Sequence, residues 1–215
     1  MTTEQTSAPE DIAYIIQFLR LLDRFKSVER RSYLSDHSRR ESDAEHVWHM
    51  IAFALMLAPR IAAELDLLRA IELIFVHDLG EIFAGDTFAY SSNPDQHQNE
   101  SAAFHQLVAG LPENDSSLLL SRWREYHEQV SPEAKFAFAI DRLQGFAQQI
   151  FADGKTWREF GITRTKTLAR TDPIRSACPE LNLILDTLYA EGDRRDLWPA
   201  APHPERGKSE RGDAR

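Results

Sequence analysis

The chain has 215 residues, 42% of them apolar and 27% charged, the proportions of a single folded, water-facing domain. A net charge of −9 with no cationic stripe argues against duplex DNA or an anionic membrane as partner. One cysteine, Cys178, excludes an intrachain disulfide framework; with an acidic N-terminal stretch and no apolar run of membrane-spanning length, this points to a cytoplasmic setting.

Almost every periodic segment reads as helix. Ile12, Ile15, Ile16, Leu19 and Leu22 follow the i, i+3, i+4, i+7 spacing of an amphipathic helix. Residues 26–41 are charged and irregular and read as a loop. Ser42-Asp43-Ala44-Glu45 has the form of a capping box, and the helix behind it runs to Pro59. Leu65 to Leu79 is a second, strongly apolar helix, broken by Gly80 and Gly85. Asn93-Pro94 opens a helix that runs to Gly110, and another covers about 114–128. Ser131-Pro132-Glu133 opens a long helix through about Ala152, stopped by Asp153-Gly154. Residues 155–170 read as helix interrupted near Gly161, and a last helix spans about Pro179 to Glu191. From 199 to 215 the chain holds almost nothing apolar and reads as a disordered tail. No alternating strand pattern stands out, so the expected class is all-α: one domain over 1–198, with a core over about 11–152 and a helical extension over about 153–198.

The chemistry concentrates in four residues. His46 lies near the start of one predicted helix, the pair His77-Asp78 at the end of another, and Asp141 in the middle of a third. Two imidazoles and two carboxylates in otherwise apolar helices suit a divalent metal. Three helices in a bundle can bring such side chains around one ion. Neighbours on a helix point about 100° apart, so His77 and Asp78 can share an ion only at a helix end. Gly80 is expected to supply the necessary break. A lone histidine in an apolar helix is usually a hydrogen-bonded core residue; it is the combination that signals a site. An ionised Asp141 between Ile140 and Leu143 would be costly to bury without a partner.

In order and context these residues resemble the HD superfamily of metal-dependent phosphohydrolases, named for the His-Asp doublet. Arg39-Arg40-Glu41-Ser42-Asp43-Ala44-Glu45-His46, Val76-His77-Asp78-Leu79-Gly80-Glu81-Ile82 with Gly85-Asp86, and Glu133-Ala134-Lys135-Phe136 leading to Asp141 are similar to the HD-domain 5'-deoxynucleotidase branch. The resemblance covers about residues 11–152 and implies an HD-domain helical bundle with a C-terminal helical extension. It implies His46, His77, Asp78 and Asp141 as ligands of one divalent ion (Mn, Co, Fe, Ni, Zn or Mg). It further implies Glu81 and Asp86 as catalytic carboxylates and Arg31 as the arginine that holds substrate phosphate. The expected reaction is attack of a metal-activated water on a phosphomonoester, with a small phosphorylated substrate, a nucleoside or deoxynucleoside 5'-monophosphate, and a homodimeric assembly. Thr87, Phe88 and Tyr90 are expected near the pocket wall, and Trp48 and His49 are read as packing or as partners of the ligands.

The chain departs from that branch in two places. Ser32 stands where an aromatic residue follows the phosphate-binding arginine, and the carboxylate that helps select deoxyribose has two candidates, Glu125 and Glu128. Three rival functions are kept. One is hydrolysis of cyclic or polyphosphate nucleotides on the same site. Another is a di-iron HD-type oxygenase, which would need two further histidines from His97, His105 and His127; those read as solvated. The last is a helical adaptor with a structural metal, disfavoured because such sites are closed and usually carry thiolates.

Overall fold

The computed structural model describes residues 9–61, 64–91 and 96–200. Among them the architecture is a helical bundle with one small antiparallel hairpin. The elements are α1 (Pro9–Leu22), β1 (Glu29–Tyr33), β2 (Arg40–Ser42), α2 (Asp43–Leu57), α3 (Leu67–Val76), α4 (Glu81–Ala84), α5 (Gln96–Val108), α6 (Glu113–Glu128), α7 (Pro132–Phe151), α8 (Lys155–Phe160), α9 (Arg164–Ala177) and α10 (Asn182–Arg194). The Asn93-Pro94 helix start and residues 201–215 of the expected tail lie outside the described residues.

α7 is the axis of the bundle. Ser131 caps it by accepting from Ala134 N at 3.2 Å, with Pro132 in the first turn, as the sequence predicts. It packs against α2, α3, α6 and α9, so Phe136, Ile140, Leu143 and Ile150 are buried on several sides at once. Each such side chain contributes roughly 1.5–3 kcal/mol on burial. An all-round buried helix has no room for water, so a polar residue on it must be satisfied by protein or by a ligand. α7 carries four of these in its middle and second half: Asp141, Gln144, Gln148 and Gln149.

α2 begins with the predicted capping box. Ser42 Oγ accepts from Glu45 N at 3.3 Å, and Ser42 N donates to Glu45 Oε2 at 2.9 Å. Its N-terminal turn buries Asp43 and His46 fully, and His46 faces Gln144 and Asp141 of α7.

Residues 26–41 form more than a loop. β1 and β2 pair antiparallel, Glu29 opposite Ser42 and Tyr33 opposite Arg40, with an irregularity between. Alternation along β1 is present in burial but absent in hydropathy. Arg30 and Ser32 turn inward while Glu29 and Arg31 are exposed. The inward face meets a polar site instead of an apolar core, so the usual strand signature is missing.

α3 ends at Val76, three residues short of the predicted Leu79, and residues 77–80 turn before α4. Gly80 is right-handed (φ −61°, ψ −24°), so backbone freedom is not its role. A Cβ there would lie 3.1 Å from the Glu100 carbonyl oxygen, so Gly80 lets α5 approach closely. Gly85, at φ 76°, closes α4 in the left-handed region that glycine adopts without strain.

α9 runs along α7, and Leu197 and Trp198 fold back beneath α10, where Trp198 stacks on Trp157 and Tyr189. Of the predicted apolar stripe of α1, Ile12, Ile16 and Leu19 stay exposed while Leu22 meets the core, beside Phe18 and Leu21. Trp48, read as packing, is 70% exposed on the outer face of α2.

Candidate active site

The turn after α3, the first turn of α2 and the middle of α7 meet at one point. There, ligand atoms of His46, His77 and Asp141 lie within 4.8 Å of one another. Asp78 adjoins this group: its Oδ2 is 2.9 Å from His77 Nε2. His77 Nε2 is nonetheless buried without a hydrogen-bond partner, because its N–H direction does not meet that oxygen. Two donor atoms that close and not aimed at each other are disposed to share a third centre.

The outer nitrogens of both rings are tied. His77 Nδ1 is 2.8 Å from the Ile74 carbonyl, and His46 Nδ1 is 2.5 Å from Gln144 Oε1. An acceptor at Nδ1 holds the proton there and leaves the Nε2 lone pair pointing inward. Gln144 is fixed in this orientation because its Nε2 donates to Glu41 Oε1 and His49 Nδ1, each at 3.0 Å. His46 Nε2 then faces Asp141 Oδ1 at 3.2 Å, and Tyr126 OH donates to Asp141 Oδ2 at 3.4 Å. His49 is thus a partner of the network, as expected.

The carboxylates of the site are held ionised. Burial favours neutral Asp141, but His46 and His77 outweigh it and hold the carboxyl well below the usual range. Burial also opposes ionisation of Asp78, yet His77 and Arg30 keep it at about 2. Burial and the nearby Arg30 push His46 down, toward the neutral form that coordinates a metal. His77 is driven down by burial but raised to about 9 by Asp78. Two anionic oxygens and two imidazoles form the donor set that Mn, Co, Fe, Ni or Zn accepts.

A second acidic group stands beside the first. Oxygens of Asp43, Asp78 and Glu81 lie within 4.8 Å of one another. Glu81 is buried in the first turn of α4 with Oε2 unpartnered, and burial and Asp78 raise its carboxyl well above the usual range. Burial pushes Asp43 up to about 6 and raises Asp86 as well. Arg30 binds them together: its Nη1 is 3.2 Å from both Asp43 Oδ1 and Asp78 Oδ2 and 3.9 Å from Asp86 Oδ1, and its Nε is 3.8 Å from Glu41 Oε2.

Asp78, Glu81, Asp86 and Asp141 border one cavity, together with Thr87, Phe88 and Tyr90 as expected. Arg31 also borders it, from an exposed position on β1 with its guanidinium 5.9 Å from the Phe160 ring centre. Sequence reasoning missed Arg30, Asp43, Gln144 and Arg170. Arg30 fell inside the charged stretch read as a loop; strand alternation, had the strand been seen, sends only one of Arg30 and Arg31 inward. Glu125 and Glu128 do not line the cavity. Glu125 pairs with Arg69 and accepts from Ser131 Oγ at 2.7 Å, and Glu128 is exposed. Of the three further histidines, His97 and His127 gather with Glu100 within 4.8 Å, while His105 is exposed. His127 is pushed down to about 4 by burial and by His97.

The chain is similar to known proteins in sequence and in fold. An HD-domain family model matches residues 22–182. The chain is 32% identical over 137 residues to the 5'-deoxynucleotidase HDDC2 of Bos taurus and 31% identical to that of Homo sapiens. These matches cover 62% of this chain and span 65% and 66% of those proteins' lengths. A crystal structure described as a predicted metal-dependent phosphohydrolase, from Magnetospirillum magnetotacticum MS-1, superposes with a TM-score of 0.83 at 31% identity, covering 89% of this chain and 97% of that one. A Pyrococcus furiosus protein at 18% identity shares the fold, with a TM-score of 0.59. With the family model spanning most of the chain and the doublet placed at the meeting point of its helices, the chain belongs to the HD-domain family.

Proposed function

We propose that the chain is a metal-dependent phosphohydrolase that releases phosphate from nucleoside or deoxynucleoside 5'-monophosphates. The observation that carries this reading is the convergence of His46, His77 and Asp141, with Asp78 beside them, on a cavity bordered by carboxylates and arginines. Relatives named 5'-deoxynucleotidases support the substrate class.

In this reading His46, His77, Asp78 and Asp141 hold one divalent ion. Such an ion supplies Lewis acidity toward a phosphoryl oxygen and a water acidified toward neutral pH. Glu81 and Asp86 orient the attacking water and return a proton to the leaving 5'-oxygen. Arg31 meets the substrate phosphate from the exposed side of the cavity, where a guanidinium offsets charge on the transferring group. Phe88, Tyr90 and Phe146 give the cavity apolar walls suited to a base or sugar.

The test is phosphate release from a panel of ribo- and deoxyribonucleoside 5'-monophosphates. The protein is stripped of metal, then reloaded with Mn, Co, Mg or Zn in turn. Release that needs the ion and disappears in Asp78→Ala is expected. No release with any ion, from protein that still binds one, would overturn the nucleotide reading.

A further inference from the structure

We propose that Arg170, delivered by α9 from the C-terminal region, binds the substrate phosphate beside Asp141, so that this region forms part of the working cavity. The inference deepens the phosphohydrolase reading and rests on it.

Four arginines border the cavity: Arg30, Arg31, Arg142 and Arg170. Arg30 is already surrounded by carboxylates, Asp43 and Asp78 at 3.2 Å with Glu41 and Asp86 just beyond. Its charge is spent on holding the acidic group together. Arg142 lies over the Phe138 ring at 4.2 Å and spends Nη1 on the Arg170 carbonyl, at 3.1 Å. Arg31 stands on the exposed edge of β1.

Arg170 differs from all three. Its Nη2 is 3.9 Å from Asp141 Oδ2, too far for a hydrogen bond, so the contact orients the guanidinium without consuming its donors. The other oxygen of the same carboxylate faces His46 Nε2 at 3.2 Å. The guanidinium therefore stands one carboxylate away from the proposed ion. Its side chain is 33% exposed, open enough to meet a ligand and enclosed enough to be held in place. A guanidinium fork there matches two oxygens of a phosphate dianion. The anchoring is rigid: α9 packs along α7, and the Arg142 bond is made to the backbone of Arg170, so it survives replacement of the side chain.

The experiment titrates inorganic phosphate into the full chain, saturated with manganese and freed of excess ion, by calorimetry. Arg170→Met and Arg170→Lys are compared with the unmodified chain, with ion content and melting temperature read for each. Removing charge-assisted hydrogen bonds should weaken phosphate binding by about 10- to 100-fold in Arg170→Met at unchanged ion content. Arg170→Lys, which keeps the charge and loses the fork, should fall between; it also serves if Arg170→Met does not fold. The proposal is overturned if Arg170→Met binds phosphate as tightly as the unmodified chain, or if the unmodified chain binds none. It is overturned equally if phosphate binding falls only in step with lost ion, because the arginine then serves Asp141 alone. Inorganic phosphate carries no nucleoside, so this pattern can hold even if every nucleotide in the panel proves inert.

Discussion

Replacing Arg30 with methionine is expected to cost the protein about 3–5 kcal/mol of stability, the range for breaking a buried ion pair. The Arg30 side chain is only 15% exposed and lies within 3.9 Å of oxygens on Glu41, Asp43, Asp78 and Asp86. Asp43 and Glu41 are themselves almost wholly buried. Methionine preserves much of the stem's packing, so the loss reports the missing charge. Carboxylates left without their cation must either take up protons or repel one another in a poorly solvated site. Denaturant unfolding of ion-free protein measures the effect, and a loss below about 1 kcal/mol would show that the cluster does not depend on Arg30. Adding a divalent ion should restore part of the stability, since a ligand that binds only the folded state stabilises it by mass action.

Glu81→Gln should do the reverse, leaving the fold intact and removing the activity. Glutamine matches glutamate in shape and carries no charge. Oε2 of Glu81 has no hydrogen-bond partner, and burial and Asp78 already favour its uncharged form, so an uncharged amide costs the fold little. Its place on the cavity wall gives it the substrate side of the site. Loss of a proton-transfer group typically lowers turnover by about 10²- to 10⁴-fold. The check is the turnover number at saturating ion and substrate, alongside a melting curve. A variant that keeps turnover within about 10-fold of the unmodified protein would remove Glu81 from the chemistry and leave it a structural acid.

Much of the site was legible because its signals are local. The capping box at Ser42, the Ser131-Pro132 start and the His77-Asp78 doublet each lie within a few residues and carry their own geometric meaning. The parts that escaped are long-range or inverted in pattern. Gln144 reads as a polar break in an apolar helix until Glu41, more than a hundred positions away, fixes its amide and so the His46 tautomer. β1 presents its polar side inward, so hydropathy alternation could not reveal it, and without the strand Arg30 and Arg31 could not be told apart. Gly80 was read as a flexible break, whereas its work is to admit the backbone of α5. Arg170 stands almost thirty positions after Asp141 in the chain, and only the packing of α9 along α7 brings it there.

The most direct test of the account is the metal content of the full chain after loading with manganese or cobalt, measured by elemental analysis beside phosphate release. One ion per chain is expected, with ion and activity lost together in His77→Ala and in Asp141→Ala. Two ions per chain would bring the His97, Glu100 and His127 group into the chemistry. An ion retained after both replacements would contradict the assignment of His46, His77, Asp78 and Asp141 as its ligands.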